Sequence, residues 1–171
     1  VTSDDEDMLE TAYRLGATPM DREPYYATDT VPMGDVYVHL ASSLDCQDVM
    51  WTPVTSPLVT DQTMQDCISV YKHRGTHDSV VTTNLIKEYM WLDNKAINYD
   101  PKNHPRSQDL PNIYALNFAV NILPRELMIK NKNILGDNFY SYMLDEVEAL
   151  DVDTEYEFML AEILYEKMRK Q

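Results

Sequence analysis

Residues 48–83 read DVMWTPVTSPLVTDQTMQDCISVYKHRGTHDSVVTT, and the order of elements inside this stretch decides the fold. Asp48–Thr52 is a short run that reads as a buried strand, closed by Pro53 and the turn Thr55-Ser56-Pro57-Leu58. From Asp61 to about Arg74 the period becomes helical. Met64, Cys67, Ile68 and Tyr71 fall on one face, and Gly75 stands past the end, where a left-handed cap costs glycine least. Ser79–Thr83 then returns to a β-branched strand. Strand, helix and strand joined by short connections favour parallel strands, because parallel neighbours need a crossover and a helix supplies it. Such crossovers are right-handed.

The same alternation extends outward. Val1-Thr2-Ser3 reads as the tail of a strand, followed by a helix over Glu6–Leu15 ended by Gly16. An extended piece over Ala17–Arg22 and a loop over Glu23–Pro32 lead to a helix over Met33–Leu44. Beyond the central stretch the pattern changes. Lys87–Leu92 and Ala96–Tyr99 flank Asp93-Asn94-Lys95 as a hairpin, and the prolines of Asp100–Asn112 make an irregular loop. Ile113–Ile122 is a long strand, Pro124 opens a short helix to Lys130, and Phe139–Leu144 is a further strand. The closing helix runs over Thr154–Arg169, with Phe158, Ala161, Leu164 and Met168 on its inward face and Asp153 placed to cap it. The expected class is α/β with a mostly parallel sheet, in a single domain of 171 residues.

Charge and composition exclude several function classes. A formal net charge of −15 disfavours nucleic-acid binding, which needs clustered lysine and arginine to neutralise phosphates. No apolar run approaches the ~20 residues of a membrane span, and VTSDDEDMLE has neither a basic nor an apolar leader region. Cys46 and Cys67 form no CxxC pair and read as thiols of a reducing compartment, so the expected location is the cytoplasm. His73 and His77 straddle Gly75 as loop residues, with zinc ligation the lesser reading.

Three segments can carry chemistry. Asp151-Val152-Asp153-Thr154 sets two carboxylates two residues apart at a helix start, where both can face one hard cation. Alternatively Asp153 caps the helix and Asp151 is a solvated loop acid. Thr55-Ser56-Pro57-Leu58 follows a strand end, where ligands bind in open α/β sheets, or it is a proline-stiffened turn. Arg106, Gln108, Asp109, Tyr114 and Asn117 place a guanidinium and amides where a carboxylate or carbohydrate could be read, or Arg106 makes a loop ion pair. The four glycines, Gly16, Gly34, Gly75 and Gly136, are isolated, and no P-loop or GxGxxG is present.

Taken in order, these pieces resemble the acylneuraminate cytidylyltransferase family, the CMP-sialic acid synthetases. The resemblance is carried by Val1-Thr2-Ser3-Asp4-Asp5-Glu6, by Arg22 with Ala27-Thr28-Asp29-Thr30, by Thr55-Ser56-Pro57-Leu58, and by Asp78-Ser79-Val80-Val81. It continues through Gln108-Asp109-Leu110-Pro111 with Tyr114 and Asn117, and through Asp151-Val152-Asp153-Thr154-Glu155. What it implies is a Rossmann-like three-layer nucleotidyltransferase fold and a reaction of CTP with a sialic-acid-like nine-carbon sugar acid, giving the CMP-sugar and pyrophosphate. It implies Mg2+ held by Asp151 and Asp153 as the catalytic pair, with Arg22 and Asp29 on the nucleotide. Thr55, Ser56, Arg106, Gln108 and Asn117 fall on the sugar side. It also implies a homodimer in which the insertion over 87–112 reaches the neighbouring subunit.

The chain departs from the family pattern at several positions. Ser107 stands where the family carries its carboxylate-binding arginine, with Arg106 one residue earlier. Pro53 replaces a glutamine, Phe118 the glycine of the NGA motif, Asn121 a tyrosine and Met33 a small hydroxyl residue. The sugar pocket is therefore expected to be altered. The family's glycine- and lysine-bearing CTP loop would precede Val1, so the expectation is an N-terminally truncated chain without turnover of its own. The competing expectations are a non-catalytic remnant or scaffold of the same fold, and a nucleotidyltransferase for a deoxy-octulosonate type of sugar.

Overall fold

Helix starts in this chain are set by side-chain oxygens and prolines. Asp5, Thr60 and Thr154 each turn a side-chain oxygen onto an N–H of the first helical turn, while Pro32 and Pro124 precede the other two helices. The computed structural model describes residues 1–170. In chain order the elements are β1 (Thr2–Ser3), α1 (Glu6–Arg14), β2 (Met20–Asp21), α2 (Met33–Ser42), β3 (Asp48–Trp51) and α3 (Asp61–Lys72). They continue with β4 (Ser79–Ile86), β5 (Trp91–Leu92), β6 (Lys95–Ala96), β7 (Ile113–Pro124), α4 (Arg125–Asn131), β8 (Phe139–Met143) and α5 (Glu155–Met168). Short 3-10 turns at Pro24–Ala27 and Ser107–Asp109 lie in stretches read from sequence as loops.

The chain divides into two compact units, one of Val1–Val49 with Leu123–Gly136, the other of Met50–Ile122 with the residues from Asp137 on. In the first unit β1 and β2 pair in parallel, Thr2 opposite Met20 and Ser3 opposite Asp21. α2 packs on α4 at a close approach that glycine permits. A Cβ on Gly34 would stand 2.8 Å from the Lys132 carbonyl oxygen. Lys132 ends α4 in the left-handed region at φ 49°, and its Nζ meets Asp35 Oδ1 at 2.9 Å. Val36, Leu40, Ala41 and Met128 are the buried side chains of the two helices.

The second unit is built on a sheet in the order β3-β7-β4-β8. β4 and β8 are parallel, from Ser79 opposite Phe139 to Thr83 opposite Met143, as the alternation predicts. β7 runs antiparallel to β4, so the sheet is mixed. Long antiparallel pairing follows from the insertion, which returns the chain without a crossover helix. α3 covers this sheet through a core of Cys67, Tyr71, Val80, Val120 and Ile122, with Met64, Ile68 and Tyr142 packed around it.

The β4–β7 register shifts between Val81, which faces Asn121, and Thr83, which faces Leu116. The extra residues form a bulge in β7, with Phe118 at φ 56° and the Val120 N–H donating to Thr82 Oγ1 at 2.9 Å. In the insertion, Asp93 and Asn94 both take positive φ, which makes the β5–β6 connection a two-residue turn one residue shorter than the sequence reading. Buried Asn98 fastens the hairpin base, accepting from Met90 N–H at 2.9 Å and donating to the Glu88 carbonyl at 2.7 Å.

Candidate functional site

The segment between β8 and α5 is fixed at nearly every residue. The Leu144 N–H donates to the Thr83 carbonyl at 2.8 Å, and the Asp145 carboxylate accepts from the N–H groups of Val147 and Glu148 at 2.9 Å each. The Val152 N–H donates to the Thr55 carbonyl at 2.9 Å. That bond brings two of the three sequence candidates together, the loop after β3 and the Asp-x-Asp segment.

Thr154, not Asp153, caps α5. Its Oγ1 accepts from the Glu157 N–H at 3.3 Å, and Glu157 Oε2 in return accepts from the Asp153 N–H at 3.0 Å and the Thr154 hydroxyl at 2.7 Å. The reading of Asp153 as the N-cap is thus corrected: a threonine followed three residues later by glutamate makes a reciprocal cap, and an aspartate cap cannot compete with it here. The Thr154 hydroxyl and the Asp153 N–H hold the Glu157 carboxyl below its ordinary value. The Asp153 side chain is left exposed and uncommitted to the cap.

Asp151 is half-buried, and its Oδ1 is buried with no hydrogen-bond partner among the described residues. A buried carboxylate oxygen without a partner is costly, so the position calls for a counter-charge. The donor set fits a hard cation. No group of three or more His, Cys, Asp or Glu side chains among the described residues is arranged to hold a metal. Two aspartates would suffice for magnesium, which is commonly held by one or two carboxylates with phosphate and water oxygens completing its shell.

Beside this segment lies a cleft of about 370 Å3, lined by Val54, Thr55, Leu58, Val152, Phe158 and Tyr165 among others. Phe158, expected on the inward face of α5, is half exposed along this cleft, while Ala161 is the residue that buries. Ser56 is buried in the turn, its N–H directed to the Pro53 carbonyl.

Asn117 is spent locally. Its Oδ1 accepts from the Ala119 N–H at 3.2 Å inside the β7 bulge, and its Nδ2 lies 3.4 Å from Asn84 Oδ1. The position of the family glycine, Phe118, is the one with positive φ, which explains why glycine suits it. Arg106 is exposed and paired with Asp109, Nε to Oδ2 at 2.8 Å and NH2 to Oδ1 at 3.3 Å. Gln108 is exposed in the same 3-10 turn. Arg22 and Asp29 belong to the first unit, where the Arg22 guanidinium donates to the Thr2 carbonyl at 3.0 Å and Asp29 is exposed.

A residue that the sequence reading passed over is Glu148, which accepts from both the backbone and hydroxyl of Thr60 and from the Thr63 hydroxyl. An acidic residue in a run of acids gave no signal of it, since its partners lie more than 80 positions away.

No family model matches the chain. Among curated proteins it is 24% identical to Post-translational flagellin modification protein B of Campylobacter coli, an alignment that covers all of this chain and 78% of that protein. It is 26% identical to the N-acylneuraminate cytidylyltransferase of Streptococcus agalactiae over 93% of this chain and 40% of that enzyme. It is 29% identical, over 42% of this chain and 31% of the relative, to the CMP-N,N'-diacetyllegionaminic acid synthase of Campylobacter jejuni. The chain therefore spans well under half of those last two relatives.

Solved structures share the fold. A CMP:2-keto-3-deoxy-manno-octonic acid synthetase complexed with CTP superposes with a TM-score of 0.64 at 9% identity, covering 100% of this chain and 80% of that one. A 4-diphosphocytidyl-2C-methyl-D-erythritol synthase from Anaerococcus prevotii gives 0.68 at 10% identity, covering 96% and 78%. The chain is thus similar in sequence to cytidylyltransferases that act on sugar acids, and it shares the nucleotidyltransferase fold.

Proposed function

We propose that this chain carries the metal and sugar-acid side of a cytidylyltransferase that joins CMP to a sialic-acid-like nine-carbon sugar acid. In that reaction the anomeric hydroxyl oxygen of the sugar bonds to the α-phosphorus of CTP, the bond to the β-phosphate oxygen breaks, pyrophosphate leaves and the hydroxyl proton is released. Asp151 and Asp153 would hold a divalent cation, which when bound offsets the negative charge of the phosphates. Thr55 and Ser56 present the strand-end turn toward the sugar. The single observation that carries the reading is the unpartnered, buried Oδ1 of Asp151, one residue from the backbone tie to Thr55.

Arg106 is the candidate for the sugar carboxylate. Its pairing with Asp109 is exposed, and such pairs contribute only ~0–1 kcal/mol, so a ligand carboxylate can take its place. Gln108 and Asn117 stay on the sugar side, and Arg22 and Asp29 are assigned to the nucleotide. A second copy of the chain is the proposed partner, through the hairpin of the insertion.

Saturation-transfer NMR tests the substrate class. N-acetylneuraminate and a deoxy-octulosonate are each mixed with the chain, CTP and Mg2+, and Asp151→Asn is the control. Transfer to the nine-carbon acid that Asp151→Asn removes is the expected result. Transfer to the eight-carbon acid alone would replace the substrate, and no transfer to either would end the proposal.

A further inference from the structure

We propose that Glu148 is a positioning residue for Asp151. The inference rests on the assignment of Asp151 to a cation, and it starts from how the segment before α5 is held. Glu148 Oε1 accepts from the Thr60 N–H at 2.9 Å, the Thr60 hydroxyl at 2.7 Å and the Thr63 hydroxyl at 2.8 Å, with Oε2 also 2.8 Å from the Thr63 hydroxyl. Charge-assisted bonds of this kind are roughly twice as strong as neutral ones. They bind the segment to the N-terminus of α3, where a negative charge also meets the favourable end of the helix dipole.

Capping does not account for Glu148. Thr60 already caps α3, accepting from the Thr63 N–H at 3.2 Å. The carboxylate instead ties α3 to a turn 85–88 residues further along the chain. Three residues after Glu148 comes Asp151, and one residue after that the Val152 N–H is fastened to Thr55. Asp151 is therefore bracketed by two anchors. A free loop would swing an unpaired carboxylate oxygen out to water, since leaving a buried acceptor unsatisfied costs about 1–3 kcal/mol and more for a charged group. The two anchors hold Oδ1 inward without a partner, ready for a cation. The Thr60–Thr63–Glu148 clasp thus acts on the metal through the backbone of Asp151, without contact to it.

Mn2+ binding measured by electron paramagnetic resonance, on the full chain well below its unfolding temperature, tests this. Partners hydrogen-bonded to a metal's ligands are worth about 10–100-fold in affinity, and Glu148→Ala, which acts on Asp151 only through the backbone, is expected at the low end, about tenfold. Glu148→Gln, which keeps an acceptor oxygen for the three donors, is expected to restore affinity to near the wild-type value. Val120→Ala lowers stability from the buried core without touching the clasp, and is expected to leave affinity unchanged. Should Glu148→Ala not fold, Thr63→Val makes the same comparison. Affinity unaltered in Glu148→Ala or Thr63→Val while Asp151→Asn loses binding would overturn the role of Glu148 and leave that of Asp151 standing. Affinity unaltered in Asp151→Asn would overturn both.

Discussion

The backbone N–H of Val152 donates to the carbonyl of Thr55 at 2.9 Å, and through this one bond the loop that leaves β3 is joined to the segment that enters α5. Both segments lie past the ends of strands, the location that an α/β sheet leaves open to a ligand. Asp151 lies between the Glu148 carboxylate, bonded to Thr60 and Thr63, and the Val152 backbone bond, while its own Oδ1 has no hydrogen-bond partner among the described residues. Fixed backbone with an unspent carboxylate oxygen suits the cation proposed for this position, because little reorganisation would be needed to bind it.

A cation at this site should stabilise the folded chain. At a concentration one hundredfold above Kd, a ligand specific to the native state adds ~2.7 kcal/mol, or roughly 5–10 °C in Tm for a chain of this size. Thermal unfolding with Mg2+ or Mn2+ against a chelator is expected to show that rise in the wild type and none in Asp151→Asn. An equal rise in both would place the ion elsewhere among the many acids.

Asp78 sets a second expectation, in pH. Burial acts to raise its carboxyl, but hydrogen bonds from the Ser79 hydroxyl and from the N–H groups of Asn138 and Asp137 outweigh this and hold it below the ordinary aspartate value. A carboxyl depressed in the folded state contributes stability that is complete above its unfolded pKa of about 3.9 and disappears as pH falls through the lower folded value. Denaturant midpoints measured from neutral pH down into that acid range should fall for the wild type. The slope should be shallower for Asp78→Asn, and identical slopes would remove Asp78 from the account.

The elements of this chain were largely legible in its sequence because local signals agreed with one another. Helices at 33–42 and 61–72 follow the spacing of Val36, Leu40, Met64, Cys67 and Tyr71, and the strands at 79–86 and 113–124 grow from the β-branched run at 79–83 and the apolar run at 113–122. The candidate site was less legible, for physical reasons that differ by residue. Asp153 and Thr154 are both good caps, and only the return bonds of Glu157 decide between them. Arg106 makes the loop ion pair that the sequence allowed beside a ligand role, with Asp109 three positions away in a 3-10 turn that the prolines did not reveal. Phe118 carries a positive φ that no aromatic residue announces, and the antiparallel run of β7 depends on how the insertion returns the chain. Glu148 was invisible because its partners are remote in sequence.

The two cysteines should separate cleanly in a thiol assay. Cys46 is exposed, while Cys67 is fully buried, and burial, followed by the negative charges of Asp66 and Glu148, pushes its thiol up to about 12. Thiolate is the reactive form, so Cys67 is both shielded and protonated. At pH 8 the native chain is expected to react at one thiol and the urea-unfolded chain at two. Rapid reaction of both in the native chain would show that α3 opens from the sheet.

The hairpin of the insertion carries the last expectation. Trp91, Leu92 and Ile97 are each more than half exposed, although Trp91 Nε1 donates to the Tyr99 hydroxyl and buried Asn98 holds the hairpin base. Exposed apolar residues on both faces of a hairpin closed by a two-residue turn suit an interface, and the charges around them suit a second copy of the same chain. Lys87 and Lys95 offset Glu88 and Asp93, so the hairpin is locally neutral in a chain of net charge −15. Two copies meeting there bring no net charge of like sign together at the contact, whereas the acidic remainder of the chain repels its own kind. Light scattering at micromolar concentration is expected to give twice the 19.9 kDa chain mass for the wild type and the single-chain mass for Trp91→Ser combined with Leu92→Ser. Because both residues are exposed, the double substitution should leave the unfolding transition of the chain nearly unchanged. A wild-type chain that stays single at these concentrations would remove the second copy as the partner of the hairpin.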